Sequence, residues 1–289
     1  MPATPNVAGG PVAVPRLLYG TAWKEAQTAR LVTAALQAGF RGIDTANQRK
    51  HYHEAAVGEA VQAQIRSGAL ARGNLFLQTK FTHPAGQDHR LPYDAGAPMA
   101  RQVEQSFASS LEHLGVETLD AYLLHGPSVP LGWGEDDLEA WAAMEDLHRA
   151  GSTRLLGVSN VSADQLDELV AIAKVPPAIV QNRCFTRPHA DAAVRESCTR
   201  HGILYQGFSL LTGHRLVGHP VVLQAAARLA ATPPQVVFAY CLARGLHVLT
   251  GTTSAEHMAQ DLLAPNVVLT PGEETAMDSI LSWSPSLRT

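Results

Sequence analysis

Three short apolar runs each stop at one ionisable residue: Gly42-Ile43-Asp44, Leu75-Phe76-Leu77-Gln78-Thr79-Lys80, and Ala121-Tyr122-Leu123-Leu124-His125. A buried strand reads as a brief apolar segment, and its polar last residue marks where the chain leaves the core. Helical patterns separate these runs, so the strands are parallel and their ends gather on one face, the face that carries chemistry in barrels. A carboxylate, an ammonium and an imidazole then sit together at the ends of neighbouring strands. With Tyr52 close by in sequence, these groups can assemble a proton-transfer site.

The elements that must position them are legible along the chain. Strand-like segments fall at Leu17–Thr21, Gly42–Thr45, Leu75–Lys80, Ala121–His125, Leu155–Val158, Ala178–Gln181, Leu204–Gly207 and His247–Thr250. Alternation of strand and helix patterns marks a parallel sheet with crossover helices, and eight such strands close a barrel. Val103, Phe107, Leu111 and Leu114 recur at helical spacing, with Gly115 as a left-handed stop. Ser162 to Gln165 reads as a capping box, and so does Thr253 to Glu256. The stretch from Gly218 to Leu246 holds two helices broken near Pro233-Pro234. Thr270 to Ser282 adds one helix outside the barrel. The expected fold is α/β, a (β/α)8 TIM barrel with an N-terminal extension and an extra C-terminal helix, spanning residues 1–289 as one domain.

Composition narrows the class. The chain has 289 residues, near the size of such barrels, which is about 250 residues. Its formal net charge is -4 with no block of like charge, which argues against nucleic-acid and membrane partners. No apolar run approaches a membrane span, and the first residues lack a basic and then apolar leader. Cys184, Cys198 and Cys241 are odd in number without CxxC spacing and read as buried thiols in a reducing compartment. A cytoplasmic monomer or weak homo-oligomer acting on a small molecule follows.

The order and spacing of Gly20-Thr21, Gly39 to Ala46, Glu54 to Gly58, Leu77 to Lys80, Leu123-Leu124-His125, Gly157 to Asn160, Gln181 and Gly251 to Ser254 resemble the aldo/keto reductase superfamily over nearly the whole chain. The resemblance implies a nicotinamide-dependent oxidoreductase that reduces an aldehyde or ketone, with a catalytic set of Asp44, Tyr52, Lys80 and His125. Tyr52 would give the proton to the carbonyl oxygen. Lys80 would favour the phenolate and lower a phenol pKa that is ordinarily near ~10. Asp44 would hold Lys80 charged, and His125 would orient the carbonyl. The tyrosine usually lies five positions after the aspartate. Here that position is Arg49, and Tyr52 lies eight after Asp44. The loop from Asn47 to His53 is therefore longer by two residues, with His51 as the fallback donor.

The resemblance also implies a cofactor path. Gly20, Thr21 and Asp44 would border it, Ser159, Asn160 and Gln181 would hold the carboxamide, and Phe208 would stack on the nicotinamide. Ser209 to Gly213, including Leu211, would lie along the pyrophosphate. Gly251, Thr252, Thr253, Ser254, His257, Gln260 and Asp261 would surround the adenosine end. The usual lysine for the 2′-phosphate appears as Gly251, and the usual arginine as His257. NADPH is the expected cofactor with NADH as the alternative, the NADPH preference being modest and growing as His257 takes up a proton. Trp23 and Trp133 lie on loops at the mouth and would wall the substrate with Tyr52 and His125. Arg49 and Lys50 could meet an acidic substrate group. Two other functions remain open on these residues: a metal-dependent barrel hydrolase built on His51, His53 and His125, and a non-catalytic cofactor-binding redox sensor.

Overall fold

A computed structural model of the protein describes residues 6–7, 10–11, 13–186, 188–212 and 216–283. Eight parallel strands close a barrel: β1 (Leu17–Gly20), β2 (Gly42–Asp44), β3 (Phe76–Phe81), β4 (Leu119–Leu124), β5 (Thr153–Ser159), β6 (Ile179–Arg183), β7 (Leu204–Phe208) and β8 (His247–Thr250). They pair in chain order, and β8 returns to β1. The crossover helices are α1 (Thr28–Ala38), α2 (Glu54–Arg66), α3 (Met99–Leu114), α4 (Glu135–Arg149), α5 (Ala163–Ile172) and α6 (Ala192–His201). Two more, α7 (Pro220–Leu229) and α8 (Pro233–Ala243), fill the stretch before β8, and α9 (Ala255–Leu263) and α10 (Pro271–Leu281) close the chain. Outside the barrel, Asn6–Val7 pairs antiparallel with Gly10–Pro11.

The eight-strand expectation holds, with small shifts that hydrogen bonding explains. β4 begins at Leu119 because the ladder to β5 already pairs Leu119 with Thr153. His125 follows the end of β4, yet its N–H still bonds the Phe81 carbonyl at 2.8 Å. The helix after β8 starts one residue later than the Thr253 box predicts. Thr252 Oγ1 accepts the Ser254 N–H at 3.2 Å, and Ser254 Oγ then accepts the His257 N–H at 3.3 Å, which makes Ser254 the cap. The Ser162 box is present as read, and Gly115 ends α3 at φ 66°.

Strand alternation sorts the core into two parts. Leu18, Phe76, Ala121, Leu123, Leu155 and Ile179 point inward and fill the lower lumen. Their neighbours, such as Tyr19, Leu77, Tyr122 and Leu156, point outward and pack under the helices. The strand pleat permits no other division, since successive side chains take opposite faces. Higher in the lumen the inward positions become polar, and the site begins there.

The helical layer is tight where α2 crosses the end of α3. A Cβ placed on Gly58 would lie 1.8 Å from the His113 carbonyl oxygen and 2.8 Å from the Leu114 Cα. Both are backbone atoms that no rotamer change can move. Gly58→Ala is therefore expected to lose stability despite alanine's better helix propensity, by about 1–3 kcal/mol, the range for overpacked sites. Urea unfolding measures it, and a variant as stable as the wild type would show that the two helices can separate freely.

Candidate active site

Register brings the three ionisable strand ends together. Asp44 is the partner of Gln78 across β2 and β3, and Lys80 is the partner of Leu123 on β4. Gln78 and Lys80 are two apart, so both face the lumen. Thr79 between them faces out, where its hydroxyl bonds the Glu54 carboxylate of α2. Glu54 also pairs with His113 of α3 at 3.0 Å, which raises the His113 pKa.

Lys80 is 0% exposed and Asp44 1%. The ammonium donates to Asp44 Oδ1 at 2.7 Å and to the Thr45 carbonyl at 2.8 Å. Asp44 Oδ1 also accepts from Gln78 at 2.7 Å and from Gln181 at 2.9 Å. Both glutamines donate in turn to Gln206 Oε1, at 2.9 and 3.0 Å, and Gln206 donates back to Gln78 Oε1 at 3.0 Å. Three amides from three strands thus floor the site. Burial draws the Lys80 pKa below the ordinary lysine range, while Asp44 pulls it back up.

Tyr52 reaches this floor because the loop from Asn47 to His53 coils. The His51 and Tyr52 N–H groups both bond the Gln48 carbonyl, at 3.2 and 3.0 Å. Asn47 Nδ2 ties the turn to the Ser106 carbonyl and Gln48 Nε2 ties it to that of Gly86. The turn sets Tyr52 beside His125, ring centroids 5.8 Å apart, with Lys80 Nζ 5.4 Å from the Tyr52 centroid. Burial first, and the Asp44 carboxylate second, push the Tyr52 pKa up. This reverses the direction expected from Lys80 alone: the ammonium is held by Asp44 and Thr45, and the phenol stays neutral. The His125 Nδ1 meets Thr82 Oγ1 at 2.6 Å, and burial pulls its pKa down to about 3. His51 also faces the cavity, its ring tilted at 38° against Trp23 with centroids 3.9 Å apart, and burial lowers its pKa too.

A cavity of about 510 Å³ opens above this floor, lined among others by Gly20, Trp23, Asp44, Tyr52, His125, Ser159, Asn160, Gln181, Phe208 and Gly251. A second, of about 420 Å³, holds Leu211, Thr252, His257, Gln260 and Asp261. The two share Ser209, Leu249, Thr250 and Gly251, so they form one elongated groove. Thr21 lies beneath it, fully buried, with its hydroxyl and its N–H on the Asp44 carbonyl. Thr253 and Ser254 lie on the turn into α9 without lining either cavity, and Gly213 falls outside the described residues. Trp23 is 67% exposed at the mouth. Trp133 does not reach the cavity, because its indole N–H bonds the Gln165 carbonyl at 2.8 Å and packs its own loop. Arg49 lines a separate outer cavity with His53, where it donates to the Tyr52 carbonyl. Lys50 lines neither of these cavities. Among the described residues, no three His, Cys, Asp or Glu side chains come together as metal ligands, and His51 and His53 open onto different cavities.

Sequence reasoning left several groove residues without a role. Gln78 and Gln206 were detectable as polar residues at inward strand positions, the first by its spacing of two from Lys80. Thr82 gave no local signal. Lys24 and Arg183 also line the groove. The Arg183 guanidinium lies 5.7 Å from the Phe185 ring centroid and 5.6 Å from that of Phe208.

A closed parallel barrel with a groove across the C-terminal ends of its strands, and a buried ion pair at the groove's floor, defines a barrel enzyme. The chain belongs to the aldo/keto reductase family, a family of nicotinamide-dependent oxidoreductases, which it matches over residues 17–282. An aldo-keto reductase of Mycolicibacterium vanbaalenii is 32% identical over 257 residues, 89% of this chain and 84% of that protein. One of Mycobacterium tuberculosis is 31% identical over 235 residues, 81% and 76% of the two chains. By fold, the chain is similar to the aldose reductase of Schistosoma japonicum, with a TM-score of 0.80 at 22% identity over 96% of this chain and 92% of that one. It is also similar to a Bombyx mori aldo-keto reductase solved in complex with NADP, with a TM-score of 0.78 at 24% identity over 95% and 91%. All three cysteines are buried and free, and among the described residues no helix is long and apolar enough to cross a membrane.

The imidazole environment gives a direct test. An unfolded histidine takes up a proton near about pH 6.5, whereas His125 does so only at about 3. Between those values the folded state binds fewer protons, so this group makes stability fall as pH drops from 6.5 toward 3. Imidazole nitrogen shifts are expected to show His125 neutral from roughly pH 5 to 8. A protonation step near the ordinary value would mean that water reaches the ring freely.

Proposed function

We propose that the protein is an NAD(P)H-dependent carbonyl reductase that converts an aldehyde or ketone to an alcohol, with NADPH the preferred cofactor over NADH and residues 1–289 acting as one domain. The observation that carries this reading is the buried Lys80–Asp44 pair lying under Tyr52 and His125 at the floor of the groove. The groove fits a dinucleotide. It is long and continuous, and Gly251 leaves its middle open: a Cβ there would meet only the Gly20 carbonyl and Lys24 Nζ, each at 3.4 Å. Ser159, Asn160 and Gln181 present polar groups at one end of it, with Phe208 beside them, and His257 and Gln260 line the other. The relative solved with NADP supports the same choice of cofactor.

When bound, the cofactor supplies the hydride; the protein supplies position and the proton. Tyr52 is held neutral by burial and by Asp44, so at pH 7 it carries the proton that the product alcohol needs. It hydrogen-bonds the carbonyl oxygen and passes its proton as negative charge grows there. The phenolate left behind faces the Lys80 ammonium, fixed by Asp44 and Thr45. His125 Nδ1 shares a hydrogen bond with Thr82 Oγ1, and in the neutral tautomer that carries its proton on Nε2 the ring can donate a second hydrogen bond to the same oxygen.

Tyr52→Phe is expected to lower aldehyde turnover by roughly 10²–10⁴-fold, the usual worth of general acid catalysis, while NADPH affinity, read by fluorescence, stays near wild type. Near-normal turnover would transfer the proton to His51. Lys80→Met is expected to do at least as much damage, because it strands Asp44 as an unpaired buried carboxylate and removes the cation that the phenolate faces. A folded Lys80→Met enzyme with full turnover would refute that role.

A further inference from the structure

We propose that Thr82 is a positioning residue for the reaction: its hydroxyl donates to His125 Nδ1, fixes the imidazole plane and keeps the ring's proton on Nε2. The inference rests on the reductase reading above and adds to it the group that decides whether His125 can donate to a carbonyl oxygen at all.

The backbone of His125 is held from two sides. Its N–H donates to the Phe81 carbonyl at 2.8 Å, and its own carbonyl accepts from Asn160 Nδ2 at 2.8 Å. The ring has less. Among the described residues its only hydrogen-bond partner is Thr82 Oγ1, 2.6 Å from Nδ1. Tyr52 meets the ring at an edge, which limits its tilt without setting which nitrogen bears the proton. Burial, with the Lys80 ammonium and His51 adding to it, keeps the ring neutral near pH 7. A neutral imidazole has one N–H and one bare nitrogen, and the hydrogen bond made by one nitrogen decides the state of the other.

Thr82 is 6% exposed, and among the described residues its hydroxyl makes no second hydrogen bond. If Nδ1 held the proton and donated it to Oγ1, the hydroxyl's own proton would be left without an acceptor. A buried donor without an acceptor is costly. If the hydroxyl donates to Nδ1 instead, both groups are satisfied and Nε2 carries the proton. The first arrangement also puts a bare nitrogen where a donor to the substrate is needed.

Thr82 in turn has little freedom to turn away. Strand alternation sends Lys80 and Thr82 toward the lumen and Phe81 outward between them. The Thr82 carbonyl accepts from the Tyr93 hydroxyl at 2.7 Å and from Gln87 Nε2 at 3.5 Å. Its methyl fills the space that Gly86 leaves, since a Cβ on residue 86 would lie 2.7 Å from Thr82 Cγ2. A β-branched side chain has few rotamers, so seating the methyl against Gly86 aims the hydroxyl at His125. Gly86 closes the short turn Pro84–Gly86, and its carbonyl accepts from Gln48 Nε2 at 2.7 Å, on the loop that carries Tyr52. Both proton-handling residues are thereby fastened to one turn, Tyr52 through Gln48 and His125 through Thr82.

The test pairs nitrogen NMR of the full chain, labelled at its histidines, with steady-state kinetics on an aldehyde and NADPH. The His125 signals are identified by their loss in His125→Asn. In the wild type Nε2 is expected to be protonated and Nδ1 bare. Thr82→Val should move the Nδ1 signal and lower kcat by roughly 10- to 100-fold, with the KM for NADPH within about threefold of wild type, the pattern of a misplaced group rather than of lost cofactor binding. Thr82→Ala serves if the valine variant does not fold. Thr82→Ser should keep most of the wild-type rate. Gly86→Ala should behave as Thr82→Val does, because the added methyl displaces Cγ2. Thr82→Ser in that background should restore turnover, because serine has no Cγ2. A proton on Nδ1 in an active wild type overturns the proposal. So does a Thr82→Val enzyme with wild-type kcat, or a Thr82→Ser enzyme as slow as Thr82→Val. So does a Gly86→Ala enzyme that keeps full turnover or that Thr82→Ser does not rescue. A wild type that reduces nothing in an aldehyde and ketone panel defeats the reductase reading instead, and the nitrogen signals still decide the tautomer.

Discussion

The Lys80–Asp44 pair governs the rest of the structure. Two opposite charges out of reach of water carry a desolvation cost that their attraction offsets only if the remaining hydrogen-bonding capacity is used. In this barrel it is used. The ammonium has a carboxylate and a carbonyl, and Asp44 Oδ1 takes two amide donors besides. Such an arrangement fixes strand register, because a slip by one residue would turn Lys80 out toward Glu54 and Thr79 inward. It also fixes the electrical character of the groove above: a phenol and an imidazole that both stay neutral, over a charge pair that cannot move.

Much of this was legible because strand ends are legible. Apolar runs stopping at Asp44, Lys80 and His125 gave three neighbouring strands and the face on which they meet. Helix limits at Ser162, Gly115 and Pro233 were written in local chemistry. What the sequence hid depends on contacts across the barrel. The direction of the Tyr52 pKa shift follows from burial and from Asp44, neither visible in the loop's composition. Trp133 reads as a mouth residue until its indole is seen to bond Gln165. The cap before α9 moved by one residue because Thr252 claimed a donor that a simple motif leaves free. Lys24 lies 227 residues from the carbonyl it meets, a distance over which no local pattern carries information.

The loop after β2 shows how a connection at this face is held. It forms one coiled turn, fastened by Asn47 and Gln48 to the chain at Ser106 and Gly86. The strands beneath are set by their own ladder, so the loop shapes the route to the floor and not the floor itself. Loops at this face carry variation because the scaffold does not depend on them.

The ring of Gln78, Gln181 and Gln206 has a consequence for how this barrel can diverge. Gln206 accepts from both other amides and donates back to Gln78, so reversing Gln206 reverses the demand on its neighbours. The three residues come from β3, β6 and β7, far apart in sequence, yet they behave as a single unit. An apolar replacement at Gln206 would strand the Gln78 oxygen and remove the acceptor that Gln78 and Gln181 share. Loss of Gln206 therefore calls for change at Gln78 and Gln181 in step, or for abandoning the polar floor altogether.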